Sequence, residues 1–272
     1  MSAPIERIFV ILDAAAETSP AIAAAVRLAA RSKMPLHAVF VEEEDLLNVA
    51  GLPVARHIVP GAGNARLTSA DVELHWRAAA VRARDDLMAA ARAQTLRCSF
   101  EIVRGTAETV LADVAKGDLV VAGARTRPVA GHFRIRSRWL AALETASGPF
   151  LLVQESLGTE GSVVVLLREG SAASGRLLQA AARLAELGSA RLIVIAPATV
   201  AAAKSVRNWI AQQIEPAGIT PTIEAAPAET SALTRRILEL DCRMLAIDAA
   251  TTEQDRLAEI TERFRCDVLV VR

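Results

Sequence analysis

The feature that most constrains this chain is a rhythm that runs once and then starts again. Short continuous apolar runs rich in β-branched residues alternate with longer segments of helical periodicity. Arg7–Asp13 reads RIFVILD and Ser162–Arg168 reads SVVVLLR. Runs that stay apolar without alternating suit parallel strands buried on both faces. An amphipathic helix follows each, over Thr18–Lys33 and Gly175–Leu187, with Thr18 or Ser19 as the expected cap of the first and Pro20 in its opening turn. The two helices share a local match, AVRLAA at Ala25–Ala30 against AARLAE at Ala181–Glu186, and each leads into a strand, Leu36–Val41 or Leu192–Ala196. A repeat longer than the solenoid periods marks duplicated domains, not a repeat array.

The first half continues with a helix over Ala70–Thr95, a strand at Cys98–Val103 and a short helix at Ala107–Ala115. A strand at Asp118–Gly123, a helix at Arg136–Ala146 and a strand at Pro149–Gln154 complete it. The second half adds helices at Lys204–Ala217, Ser231–Leu240 and Glu253–Phe264, and strands at Thr222–Ala225, Arg243–Asp248 and Asp267–Val271. Five strands joined by helical crossovers make a doubly wound α/β sheet with helices on both faces. The expected domains are therefore residues 1–155 and 162–272, separated by a polar linker around Ser156–Gly161. One stretch has no counterpart in the second half: Glu43–Ser69, holding Gly51, Pro53, Pro60, Gly61 and Gly63. It reads as a structureless flap near the carboxyl edge of the strands.

Composition excludes several partners. Lys and Arg number 31 and Asp and Glu 31, so no global field steers the chain toward nucleic acid or anionic lipid. Apolar residues make up 52%. Yet charge breaks every apolar stretch before it reaches the roughly 20 residues of a membrane span. Trp76, Trp139 and Trp209 all fall on expected helices, which leaves little for stacking on single-stranded nucleic acid. Met1–Glu6 lacks a basic-then-apolar signal pattern, and Cys98, Cys242 and Cys266 show no metal-type spacing. They read as small buried hydrophobes in a reducing cytoplasm. His37, His57, His75 and His132 do not cluster, and neither a GxSxG elbow nor a GxxxxGK[ST] loop is present. The acidic run Glu42–Asp45 reads as a solvated face. No set of catalytic residues emerges.

The first half resembles the universal stress protein family. The pieces that carry the resemblance are a first strand ending in Asp13, the segment GTAETVLADVAKGDLVVAG at Gly105–Gly123, and SGPFLLV at Ser147–Val153. The second half matches more loosely. The resemblance implies two five-stranded parallel sheets of order 3-2-1-4-5 that associate through their fifth strands. Leu151–Val153 and Leu269–Val271 would then be the paired edges, making the chain its own pseudo-dimer.

Nucleotide-binding members of the family carry a glycine loop after the fourth strand: Gly, two residues, Gly, nine residues, Gly, then Ser or Thr. Glycines let backbone N–H groups approach phosphates, and the following helix N-terminus favours their charge. Laid on this chain from Gly123, the second glycine falls on Thr126, the third on Arg136 and the hydroxyl on Ser137. Asp13 matches the family acid, and Val41 a position lining the adenine pocket. Two glycines are lost, and Arg125, Arg127, Arg134 and Arg138 crowd the same loop. Guanidinium groups bind phosphate bidentately and could replace the lost backbone contacts; the alternative is a solvated basic loop. The second half has Arg168 in place of Asp13 and no glycine in Asp248–Thr252.

The candidate nucleotide site is thus Asp13, Val41, Gly123, Arg125, Arg127, Arg136 and Ser137, with ATP or AMP as the implied ligand, and it belongs to the first half only. The expected function is that of a non-enzymatic stress-response or regulatory protein in the cytoplasm, acting through protein partners, with further homodimerisation an open option. Two alternatives stand beside it: slow ATP hydrolysis or phosphoryl transfer in the first half, and a module that regulates a transporter or kinase in trans.

Overall fold

A computed structural model describes residues 5–14, 18–52, 55–59, 63–115, 117–123, 148–154, 161–168, 172–249, 264 and 266–272. The expected helices at Arg136–Ala146 and Glu253–Phe264 fall outside these residues, apart from Phe264 itself. The first half runs β1 (Arg7–Asp13), α1 (Thr18–Ser32), β2 (Leu36–Glu43), α2 (Glu44–Ala50), β3 (Arg56–Val59), β4 (Gly63–Arg66), α3 (Ser69–Ala93), β5 (Cys98–Gly105), α4 (Ala107–Ala112), β6 (Asp118–Gly123) and β7 (Phe150–Val153). The second runs β8 (Ser162–Leu166), α5 (Ala172–Gly188), β9 (Arg191–Ala196), α6 (Ala198–Ala202), α7 (Lys204–Ile214), β10 (Thr222–Ala225), α8 (Thr230–Glu239), β11 (Cys242–Asp248) and β12 (Asp267–Val271).

Ten of the twelve described strands form one sheet of order β10-β9-β8-β11-β12-β7-β6-β1-β2-β5, and β3 and β4 pair separately. Each half has the order 3-2-1-4-5 when its five sheet strands are numbered along the chain. The two expected sheets are therefore two halves of one sheet, because their fifth strands pair. Every neighbouring pair is parallel except β7 with β12, which is antiparallel, with Leu151 opposite Leu269, Leu152 opposite Val268 and Phe150 opposite Val270. In each half the fifth strand is anchored in register to the fourth, Phe150 beside Val120 and Val268 beside Leu245. That makes Phe150 and Val268 equivalent, and Leu152 and Val270 likewise. The pairing is thus self-complementary, with a local dyad passing between Leu151 and Leu269, as in an isologous dimer.

Side chains alternate between two cores. Ile8, Val10 and Leu12 face the core shared with α1, α3, α5 and α7. Phe9 and Ile11 face the core shared with α4 and α8. The first core is continuous across the seam, and Arg31 of α1 donates to Ser189 Oγ beyond α5 at 3.0 Å. Both helices end alike: Lys33 and Ser189 take left-handed φ values of 57° and 51°.

The stretch after β2 is not structureless. Glu44 and Asp45 occupy the first turn of α2, where acids complement the helix dipole, and Leu46, Leu47 and Ala50 supply its apolar side. A two-stranded antiparallel hairpin, β3–β4, follows. Leu46, Leu47 and Ala50 pack with Val72 and Trp76 of α3 and with Ala14 at the exit of β1. The insertion therefore sits at the carboxyl edge of the first-half strands. α3 begins in a capping box, Thr68 Oγ1 accepting from Asp71 N while Asp71 Oδ2 accepts from Thr68 N.

Leu151 is fully buried at the dyad, whereas Leu238 on α8 is 61% exposed. Leu151→Ala is expected to lower the unfolding free energy by about 2–5 kcal/mol in urea denaturation, and Leu238→Ala by less than about 0.5 kcal/mol.

Candidate functional site

In the first half the crossovers reverse direction at β1. Its neighbours are β2 on one side, reached through α1, and β6 on the other. The helix before β6, α4, lies on the opposite face from α1. Such a reversal opens a crevice at the carboxyl ends of the two central strands, because the connections leave toward opposite faces. The residues at that crevice are Asp13, ending β1, and Gly123, ending β6. Ile11 pairs with Ala122, so Gly123 stands beside Leu12, one residue short of Asp13. Asp13 pairs across to Val41 on β2. Asp13 is 8% exposed and Val41 packs into the second core, so a carboxylate sits at the mouth of an apolar wall. Arg125, Arg127, Arg136 and Ser137 lie outside the described residues.

The rim next to this crevice holds a cluster that sequence patterning does not single out. Arg104, near the end of β5, reaches Glu42 Oε2 through Nε at 3.1 Å and Nη2 at 3.0 Å. Its Nη2 also lies 3.6 Å from Glu73 on α3, and the guanidinium sits 5.9 Å from the Trp76 ring centre. Glu42 and Arg104 are direct partners in the β2–β5 register. Only the adjacency of those strands reveals the pair; opposite charges 62 residues apart carry no local signal. The acidic run thus divides: Glu42 is tied to the sheet edge while Glu44 and Asp45 open α2.

At the other end of the strands, Arg7 grips Asp118 through two contacts, Nε to Oδ1 at 2.9 Å and Nη2 to Oδ2 at 2.5 Å. Hydrogen bonding to that carboxylate raises the Arg7 pKa. His37 lies alongside, with Nδ1 2.7 Å from Ser99 Oγ and its ring tilted against Phe9. Burial lowers the His37 pKa, aided by the Arg7 charge. It is a neutral, hydrogen-bonded strand residue with no metal-binding company: no group of three or more His, Cys, Asp or Glu side chains able to hold a metal occurs among the described residues.

The second half can be superposed strand by strand. Val163 faces Leu192 and Met244 as Ile8 faces Leu36 and Leu119. Counting forward, Arg168 occupies the place of Asp13, Pro197 that of Val41 and Asp248 that of Gly123. Asp248 is buried and adds both a side chain and a negative charge where a phosphate would need close backbone approach.

No protein-family model matches the sequence, and no curated protein matches it. Solved structures do. A universal stress protein from Archaeoglobus fulgidus is 12% identical, with 98% of this chain covering 97% of that one at a TM-score of 0.65. A functionally unknown protein from Pseudomonas aeruginosa is 16% identical over 98% of this chain and 92% of that one, TM-score 0.59. The cytoplasmic domain of a prokaryotic cation chloride cotransporter is 11% identical over 98% and 95%, TM-score 0.56. The chain therefore has the tandem α/β fold seen in a universal stress protein, along nearly its whole length. No described helix is long and apolar enough to cross a membrane.

Two predictions follow from the charges. Arg104→Ala is expected to cost about 0.5–1 kcal/mol in urea denaturation at low salt and less at high salt, since the pair is partly exposed. His37 has a folded pKa below its unfolded value, so the unfolded chain binds the proton more readily. Its contribution is full above the unfolded value and is lost as pH falls from there toward the folded pKa. Denaturation midpoints measured on acidification should fall less steeply in His37→Gln than in the parent.

Proposed function

We propose that this chain is a tandem universal stress protein of the cytoplasm that binds one adenine nucleotide in its first domain, residues 1–155, and uses its second, residues 162–272, as a scaffold. The observation that carries the proposal is the asymmetry at two equivalent crevices: Asp13, Val41 and Gly123 in one half, Arg168, Pro197 and Asp248 in the other. In this reading Val41 lines the base pocket, the Asp13 carboxylate accepts from a polar edge of the nucleoside, and Gly123 lets the chain turn close to the phosphates. Arg125, Arg127 and Arg136 neutralise those phosphates in place of the two missing glycines, and Ser137 donates a hydroxyl. Occupancy is then a signal read by protein partners, not the start of a reaction.

A second reading is favoured by one particular likeness. A similarity spanning 98% of this chain relates it to the cytoplasmic domain of a cation chloride cotransporter. A chain of this architecture without a described membrane helix suits regulation of a transporter in trans.

Equilibrium dialysis with ATP and AMP tests the primary reading. One nucleotide per chain is expected, with binding at least about tenfold weaker in Asp13→Ala, the loss from removing a charged hydrogen-bond partner. Arg168→Ala should bind as the parent does. No saturable binding, or a site that survives Asp13→Ala and fails in Arg168→Ala, contradicts it.

A further inference from the structure

Two of the three cysteines, far apart in sequence, meet at the start of the second half's inner strands. Cys242 opens β11 and Cys266 immediately precedes β12; the thiol of Cys242 donates to Cys266 Sγ at 3.8 Å. The contact depends on a backbone irregularity. Met244 pairs with Val163 on β8 while Cys242 pairs with Ser162, so Arg243 is an extra residue on β11. A bulge of this kind reverses the facing of what precedes it. Regular alternation would put Cys242 on the face of Met244, in the first core. The bulge turns it instead to the second core, the face that holds Cys266.

The bulge is supported on both sides. Gly161, at φ 110°, lies so close that a Cβ there would stand 2.8 Å from the Asp241 carbonyl oxygen and 3.0 Å from Arg243 Cβ. Ser162 N donates to that same carbonyl at 2.9 Å. Arg243 leaves toward α5, where Nη1 donates to Gly188 O at 3.3 Å. Adjacent strands run about 4.8 Å apart, inside the Cα span of roughly 4.4–6.8 Å that a disulfide bridges. The segment around Cys266 also grips the seam. Asp267 Oδ1 accepts from Gln154 N at 2.9 Å, and Gln154 Nε2 donates to Phe264 O at 2.9 Å.

We propose that Cys242 and Cys266 form a reversible disulfide under peroxide, clamping β12 to β11 beside the seam that joins the two halves. One thiolate attacks a peroxide oxygen, the O–O bond breaks, and a sulfenic acid forms with release of water. The second thiol attacks that sulfur, the S–S bond forms, and a second water leaves. Two electrons and two protons pass from the thiols to the peroxide, and a dithiol reductant returns them. Contact with Cys266 and burial push the Cys242 thiol up, so the step is slow and demands abundant oxidant. Cys98, on the outer strand β5 at the far edge of the sheet, takes no part.

The full-length chain is treated with hydrogen peroxide, then denatured, alkylated and mapped by peptide mass spectrometry. The expected product has lost two hydrogen atoms, carries a peptide linking Cys242 to Cys266, and keeps Cys98 open to alkylation. Dithiothreitol should reverse it, and oxidation should raise the thermal midpoint by roughly 5–10 °C. Cys98→Ser, which leaves the pair in place, should behave identically. Over-oxidation of either cysteine without a link, a link through Cys98, or a link that leaves the midpoint unchanged overturns the proposal.

Discussion

The rest of the structure depends on the antiparallel pairing of β7 with β12. A parallel sheet is buried on both faces, but its edge strands still present unpaired N–H and C=O groups. Here each half contributes its fifth strand, and the two edges satisfy one another. Leu151 and Leu269 meet at the local dyad, fully buried, and the core beneath α1 and α5 runs unbroken across the join. Polar contacts then lock one end of the seam, where Asp267 and Phe264 hold the backbone and side chain of Gln154. Duplication within one chain makes this pairing intramolecular, so its register does not depend on protein concentration.

With the two halves joined in this way, their crevices carry different residues on the same strand framework. The strands beneath Asp13 and beneath Arg168 are packed alike, each with a neighbour in register on both sides. What differs are the residues at equivalent crevice positions: Asp13 and Gly123 in the first half, Arg168, just past the end of β8, and Asp248 in the second. The first half also carries α2, which packs on Val72 and Trp76 of α3, and the β3–β4 hairpin; nearby, Arg104 of β5 holds Glu42 of β2 and lies against Trp76. The crevice that has a glycine is the one bordered by this rim.

Much of this was legible in the residues. The runs RIFVILD and SVVVLLR identify buried strands because they never alternate, and the paired AVRLAA and AARLAE segments reveal the duplication. Strand order and the joining of fifth strands came from the family resemblance, and the register of Leu151 with Leu269 agrees with it. Short elements were harder. α2 spans seven residues, too few for a periodic signal, and β3–β4 is built on Gly63, Asn64 and Ala65, which carry little strand propensity. Contacts across strands, such as Arg104 with Glu42 or Cys242 with Cys266, were invisible for a different reason. The first needs strand adjacency and the second a bulge, and neither is written in local spacing. The nucleotide loop was read residue by residue from the resemblance; Asp13 and Gly123 end the two strands at the reversal point and Val41 lies beside Asp13 on β2, while Arg125, Arg127, Arg136 and Ser137 fall outside the described residues.

The claim that one continuous sheet unites the halves is open to a direct measurement. Native-state hydrogen exchange, followed by mass spectrometry on peptides covering Phe150–Val153 and Asp267–Val271, reports whether those backbone amides are paired. The account predicts protection there comparable to the central strands β1 and β8, well above the outer strands β5 and β10. Exchange at the rate of an exposed edge in either peptide would mean that the two halves fold apart, and the seam described above would not exist.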